Sequence, residues 1–255
     1  TIWYIVFCYA PMFGVVIAFK NYRTTRGIFG SDWVGVLWFE TFFTDPYFWR
    51  LLRNTFLLSA LSIVFGFPAP ILLALMLNEV KNARFKKSVQ TITYMPHFIS
   101  TVVLVGMMNQ ILNPVTGLYS NIYRLFNPGE YPIDILSRAN AFDHLYVWSG
   151  IWQNLGWNTI IYMAALSGVD PALHEAAQVD GASRLRRVWH IDLPVLLPTA
   201  SIMLIMNAGT IMSVGFEKVY LMQNSVNSVY SEVISTYVYK TGLGGTTNQM
   251  SYAAA

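Results

Sequence analysis

Residues 175–198 read EAAQVDGASRLRRVWHIDLPVLLP and lie between two long apolar runs. The first part of this stretch carries three arginines (Arg184, Arg186, Arg187) and three carboxylates (Glu175, Asp180, Asp192). So charged a segment belongs at an aqueous face, and its local signals give its shape. Just upstream, Asp170 suits an N-cap and Pro171 the first helical position, where proline's missing N–H is an orphan anyway. The residues ALHEAAQV then make about two turns of helix. Asp180-Gly181 stops it, because glycine takes the left-handed conformation at little cost. A second short amphipathic piece follows, with Leu185, Val188 and Trp189 on one face, and Pro194 and Pro198 mark the start of the next apolar run. A short helix, a sharp turn and a second helix across a membrane face make a shape suited to docking against another protein.

The rest of the chain has the composition of a bilayer protein. Of its 255 residues, 55% are apolar and only 11% charged, with a mean hydropathy of +0.44. Soluble domains carry about a quarter charged residues. The net charge of +3 is spread along the chain, which gives nucleic-acid binding no support. A single cysteine, Cys8, excludes an internal disulfide and is expected as a buried apolar thiol.

A helix crossing the hydrocarbon needs about 20 apolar residues. Charge-free windows at 2–19, 55–77, 88–112, 144–169 and 193–216 meet or approach that length. The expectation is therefore an all-α, polytopic membrane protein with a single transmembrane domain over 1–255. The chain starts inside the first window without an initiator Met, and MSYAAA opens a further apolar, helix-prone stretch. A truncated N-terminus and a sixth span beyond residue 255 are expected on that basis.

Orientation follows from basic density near span ends. The segments after the second and fourth windows hold Lys81, Arg84, Lys86, Lys87, Arg184, Arg186 and Arg187, while the other nine of the sixteen basic residues are scattered over much longer segments. The dense side is cytoplasmic by the positive-inside rule, although raw counts favour the other side. The long outer segments 20–54, 113–143 and 217–249 exceed simple turns and are suited to a cap or a partner contact.

The charged stretch also carries a family resemblance. Glu175, Ala176, Ala177, Asp180, Gly181, Ala182, Ile191, Leu193, Pro194 and Pro198 resemble the EAA loop of ATP-binding-cassette importer permeases, E-A-A-x-x-D-G-A followed by I-x-L-P-x-x-x-P. Val188 stands where a bulky residue such as phenylalanine is common, with Trp189 beside it. Upstream, IWQNLGWNTIIYMAALSGVDPALHEAA and TYMPHFIS are similar to the carbohydrate branch, especially oligosaccharide permeases. The resemblance implies the type I importer fold with about six transmembrane helices in a bacterial cytoplasmic (inner) membrane, among lipid. It also implies that the loop at about 170–192 is a cytoplasmic coupling loop, its helix seated on a separate ATPase, with Glu175 holding the docking and Gly181 the turn. The implied partners are a second, different permease chain, a cytoplasmic ATPase dimer and an extracytoplasmic solute-binding protein. The chain holds no Gly-Lys dipeptide and so no phosphate-cradling loop of its own. ATP and Mg are expected on the partner, with no cofactor, no metal and no catalytic residue here.

Polar groups inside spans are costly and face a cavity or another helix. Asn154 and Asn158 lie four apart on one helical face, Tyr162 continues that stripe, and Trp152 and Trp157 flank it. Asn207, Thr210 and Ser213 recur every third residue in the last window. Sugars present hydroxyls to amides and C–H faces to aromatic rings, so these residues are candidates for a saccharide route. Interhelical hydrogen bonding would use the same residues. Pro96 is expected to kink the third window beside His97. Glu217 is read as an interfacial residue at the outer edge of the fifth.

Three other readings stay open at this level. A permease of the same superfamily for a non-sugar solute shares every feature above. A secondary transporter would normally need an ionisable or ion-binding group at membrane depth, and the five windows hold no acidic residue. A metalloprotease reading starts from His174-Glu175, but Gln178 stands where a zinc-binding H-E-x-x-H helix needs its second histidine.

Overall fold

The computed structural model describes residues 2–244 and 249–255. It divides into two compact units, Thr1–Thr55 with Glu232–Ala255, and Phe56–Ser231.

Among the described residues, three helical stretches are long and apolar enough to cross a bilayer: Ile2–Phe19, Phe48–Asn78 and Arg184–Gly209. A fourth candidate is a bent pair, Ala83–Phe98 and Thr101–Ile111, whose axes meet at 100°. The sequence expects one kinked span over 88–112; the structure breaks it in two. Pro96 sits in a tight 3-10 turn, Met95–Phe98, and Ser100 then caps a new helix by accepting from the Val103 N–H at 3.3 Å. The fourth window becomes the helix Phe142–Leu166, 25 residues long. Its amides and glycines dilute its hydropathy, so composition alone does not mark it as a span.

The second and fifth apolar helices extend beyond the N-terminal ends of the charge-free windows and take in charged residues. The second begins at Phe48 and takes in Arg50, whose guanidinium pairs with Glu232 at 3.2 Å. The fifth is not broken at its prolines. Helix runs from Arg184 through a π-turn at Val188–Asp192 into Leu193–Gly209, with Pro194 in its first turn and Pro198 inside it. The second amphipathic piece is therefore the start of the span itself, and the span ends at Gly209 rather than Phe216. Buried Asp192 can lie within this helix because other side chains hold it, as described below.

In the first unit, the Ile2–Phe19 window is only 6% buried, and Cys8 on it is exposed, contrary to the expected buried thiol. A helix that turns nearly its whole apolar surface outward is adapted to lipid or to another chain. Lys20–Asn21 then pairs antiparallel with Asp32–Trp33. Asp45 ties the unit together: it accepts from the Tyr47 N–H at 2.8 Å and from the Tyr237 and Tyr252 hydroxyls, each at 2.9 Å. Burial works to raise its pKa, yet these donors hold the carboxyl below its ordinary value. Glu232 bridges Arg50 and Lys240 nearby.

In the second unit, Pro68–Asn78, Phe142–Leu166 and Leu193–Gly209 pack around Ala74, Tyr162, Leu166, Leu196 and Ala200. Small residues let these backbones approach, which matters where dispersion rather than water exclusion drives helix association. Gly156 marks the closest approach of another pair. A β-carbon there would lie 2.2 Å from the Thr93 carbonyl oxygen and 2.8 Å from Tyr94 Cδ1.

Candidate functional site

The Phe142–Leu166 helix organises a cavity of about 560 Å³ within the second unit. One wall comes from residues 58–70, another from this helix, and the third from residues 203–218. Seven of the eight residues marked in the sequence line it: Asn154, Trp157, Asn158, Tyr162, Asn207, Thr210 and Ser213. Trp152 does not. It lies on another face of the helix and is half exposed, so only one of the two flanking tryptophans reaches the cavity.

The lining residues are engaged to different degrees. Asn154 Oδ1 accepts from His97 Nδ1 at 3.0 Å, and its amide nitrogen donates to the Gly150 carbonyl at 3.0 Å. His97 also stacks on Trp157, with ring centroids 4.4 Å apart and planes within 5°. Gln153 donates to the Ile99 carbonyl at 2.7 Å. Thus Gln153, Asn154 and Trp157 hold the broken helix at Pro96, where backbone groups lose their helical partners. Tyr162 is 2% exposed and belongs to the core cluster. Asn158 differs from these: it is exposed to the cavity and makes no hydrogen bond among the described residues. Its amide is free for a ligand.

This division separates two substitutions that the sequence treats alike. Asn158→Leu should leave thermal stability near wild type and lower transport. Asn154→Leu should also lower stability, by about 1–3 kcal/mol, since it strands the His97 ring nitrogen. Melting temperature and uptake measured side by side check this, and equal stability losses in both variants would refute the division.

Sequence reasoning missed Ser59, Ser62, Gln153 and Lys218 on the cavity wall. Lys218 lies just past the last charge-free window, next to Glu217, and so reads as an interfacial residue. The structure places it on the helix Phe216–Met222, outside the apolar spans, and only 9% exposed. Its Nζ donates to the Tyr146 carbonyl at 2.8 Å and stands 4.8 Å from the Tyr146 ring centroid. Burial pushes its pKa down to about 8.

The charged stretch builds the second part of the site. Asp170 accepts from the Ala172 N–H at 2.9 Å and starts the helix Pro171–Val179. The helix ends in a Schellman motif: the Ala182 N–H donates to the Ala177 carbonyl at 2.8 Å and the Gly181 N–H to the Gln178 carbonyl at 3.0 Å. Gly181 sits at φ +74°, in the left-handed region. Ser183 then accepts from the Arg186 N–H at 3.4 Å as the next helix begins. Glu175 and Ala176 point outward, exposed, and Val179, Leu185 and Trp189 expose apolar surface around the turn.

One link here has no sequence signal. His174 Nε2 lies 3.2 Å from Asp192 Oδ1, and Asn78 Nδ2 is 3.4 Å from the same oxygen. Asp192 is fully buried. The short helix is thereby tied both to the start of the 184–209 helix and to the end of Pro68–Asn78. His174, the histidine that opens the metalloprotease-like stretch, is thus engaged with Asp192, and Gln178 donates to the His174 carbonyl at 3.1 Å.

Comparison with known proteins agrees with this geometry. The chain is 46% identical to the polygalacturonan/rhamnogalacturonan transport system permease protein YteP of Bacillus subtilis (strain 168), over all of this chain and 78% of that protein. It superposes on a chain of a bacterial ABC transporter involved in the import of the acidic polysaccharide alginate, with a TM-score of 0.90 and 40% identity, covering 99% of this chain and 84% of that one. A bacterial alginate ABC transporter in complex with an alginate pentasaccharide-bound periplasmic protein gives a TM-score of 0.88, again at 40% identity, covering 99% of this chain and 83% of that one. Residues 3–254 match the family described as the binding-protein-dependent transport system inner membrane component, and the chain belongs to that family.

Proposed function

We propose that this chain is the permease subunit of an ATP-driven importer that passes an oligosaccharide from an extracytoplasmic solute-binding protein into the cytoplasm. The observation that carries the reading is the cavity: amides and hydroxyls around Trp157, with Asn158 free to bind, match a ligand of many hydroxyls and apolar C–H faces. Its relatives, a polygalacturonan/rhamnogalacturonan transport system permease protein and an ABC transporter involved in the import of alginate, support the same class. The alginate importer's complex with a periplasmic protein supports delivery by such a partner.

The Pro171–Val179 helix with its exposed Glu175 and the apolar rim of Val179, Leu185 and Trp189 supports docking on a cytoplasmic ATPase dimer, which would bind ATP and Mg. Glu175, Ala176, Ala177, Asp180, Gly181 and Ala182 are the coupling residues in this reading. The outward-facing Ile2–Phe19 helix supports contact with lipid and with a second, homologous permease chain. The coupling loop faces the cytoplasm, in line with the basic residues around it.

Reconstitution tests the proposal. The chain with its partner permease, ATPase and binding protein in proteoliposomes should accumulate oligosaccharide only when ATP is enclosed with the ATPase and the loaded binding protein is outside. Accumulation driven equally well by a proton or sodium gradient, without ATP, would refute it.

A further inference from the structure

We propose that Lys218 determines the specificity of the cavity and selects a saccharide bearing a carboxylate over a neutral one; this rests on the cavity being a saccharide route. Among the residues that line it, Lys218 is the single charged side chain, and no Asp or Glu joins it. The remaining polar lining is neutral: serines, amides, a threonine and tyrosines.

The position of the amine favours a ligand contact over a purely structural one. The ion pairs among the described residues are Arg26–Asp32, Arg50–Glu232 and Lys240–Glu232, and the further contact His174–Asp192 does not involve Lys218 either, so Lys218 has no counter-ion of this kind. Burial is the sole cause moving its pKa, so no neighbouring carboxylate acts on it, and at a pKa near 8 the amine is still mostly protonated at neutral pH. A buried charge without a counter-ion is unfavourable, and an arriving anion relieves that cost. One of its three N–H groups is on the Tyr146 carbonyl. Gly150 lies beside Nζ on the facing helix. A β-carbon there would come within 3.2 Å of the amine, so the glycine leaves Nζ open toward the cavity.

A single ammonium matches the single charge of a carboxylate. A phosphate monoester carries close to two negative charges, and its recognition favours several donors or a bidentate arginine, which the lining lacks. The neutral amides and Trp157 then read the sugar skeleton, while Lys218 reads its acid group.

The test uses the assembled transporter (both permease chains and the ATPase) in nanodiscs, without the binding protein, so that the binding protein's own selectivity does not enter. The probes are trigalacturonate, its methyl triester, which has the same skeleton without charge, and glucose 6-phosphate, all titrated calorimetrically. Wild type should bind the acid at least about tenfold more tightly than the ester. Lys218→Met should remove that preference by weakening the acid alone, and Lys218→Arg should restore most of it. Gly150→Ala, which crowds Nζ without removing it, should reduce the preference and serves if the methionine variant fails to assemble.

Equal binding of acid and ester by wild type would overturn the proposal, and so would equal weakening of both by Lys218→Met, since that is what a structural anchor produces. A wild-type preference surviving in Gly150→Ala would count against it too. Tighter binding of glucose 6-phosphate than of trigalacturonate would overturn the carboxylate assignment. Binding of the ester alone would overturn the acidic class and leave the saccharide reading standing, whereas binding of neither sugar would overturn both.

Discussion

Gly156→Leu is expected to abolish the folded transporter. The β-carbon alone would stand 2.2 Å from the Thr93 carbonyl oxygen and 2.4 Å from its carbon. Both are backbone atoms, so no rotamer change relieves the contact, and the two helices must separate. Overpacking in a close-packed interior costs about 1–3 kcal/mol even where side chains can yield. Here separation also pulls apart the Gln153–Ile99 hydrogen bond and the His97–Asn154 and His97–Trp157 contacts that hold the break at Pro96. A loss of 3 kcal/mol or more, roughly, is expected against a typical total of about 5–15. Fluorescence-detected size exclusion of the solubilised complex across a temperature ramp measures it. Gly156→Ala should already lower the melting point, and Gly156→Leu should leave little monodisperse material. A wild-type melting curve for the leucine variant would show that these helices do not approach as described.

Gly156 also shows where the sequence falls silent. Its neighbours are ordinary span residues, and nothing in the local pattern says which glycine faces a carbonyl of another helix. The features that could be read ahead were those with local causes. Asp170-Pro171 starts a helix and Asp180-Gly181 ends it through capping chemistry confined to a few residues, and the structure has both ends in place. Pro96 implied a bend, though the 100° break is held by Gln153, Asn154 and Trp157, which are distant in sequence. Span ends read from charge-free windows came out short wherever a charge finds a partner, as at Arg50 and Asp192. The amide stripe led to the cavity because helical periodicity is local. It also drew in Trp152, because periodicity cannot say which flank of a stripe a cavity occupies. Lys218 went unread because its burial depends on Tyr146, more than seventy residues away.

Gly181→Val and His174→Ala are expected to uncouple ATP hydrolysis from transport by two separable routes. At φ +74° a β-branched residue clashes with its own backbone, and the left-handed region alone costs about 1–2 kcal/mol outside glycine. Relief requires the chain to leave the Schellman geometry, which gives up the Ala182–Ala177 and Gly181–Gln178 hydrogen bonds and re-aims Pro171–Val179. The exposed Glu175 and the apolar rim then no longer present one surface, so ATPase co-purification should fall, as it should for Glu175→Ala, whose carboxylate makes no bond among the described residues. His174→Ala leaves that surface intact. It removes the 3.2 Å partner of fully buried Asp192 and leaves only the 3.4 Å contact from Asn78, at a cost of roughly 1–3 kcal/mol. The short helix is then loosened from the 184–209 helix, which in the proposed reading carries movement to the cavity wall at Asn207 and Thr210. His174→Ala should therefore retain the ATPase and its basal hydrolysis but lose stimulation by the loaded binding protein. Co-purification followed by hydrolysis with and without that protein distinguishes the two. Wild-type values for every variant in both assays would make the loop a passive connector, and loss of the ATPase in His174→Ala would place His174 in docking rather than in transmission.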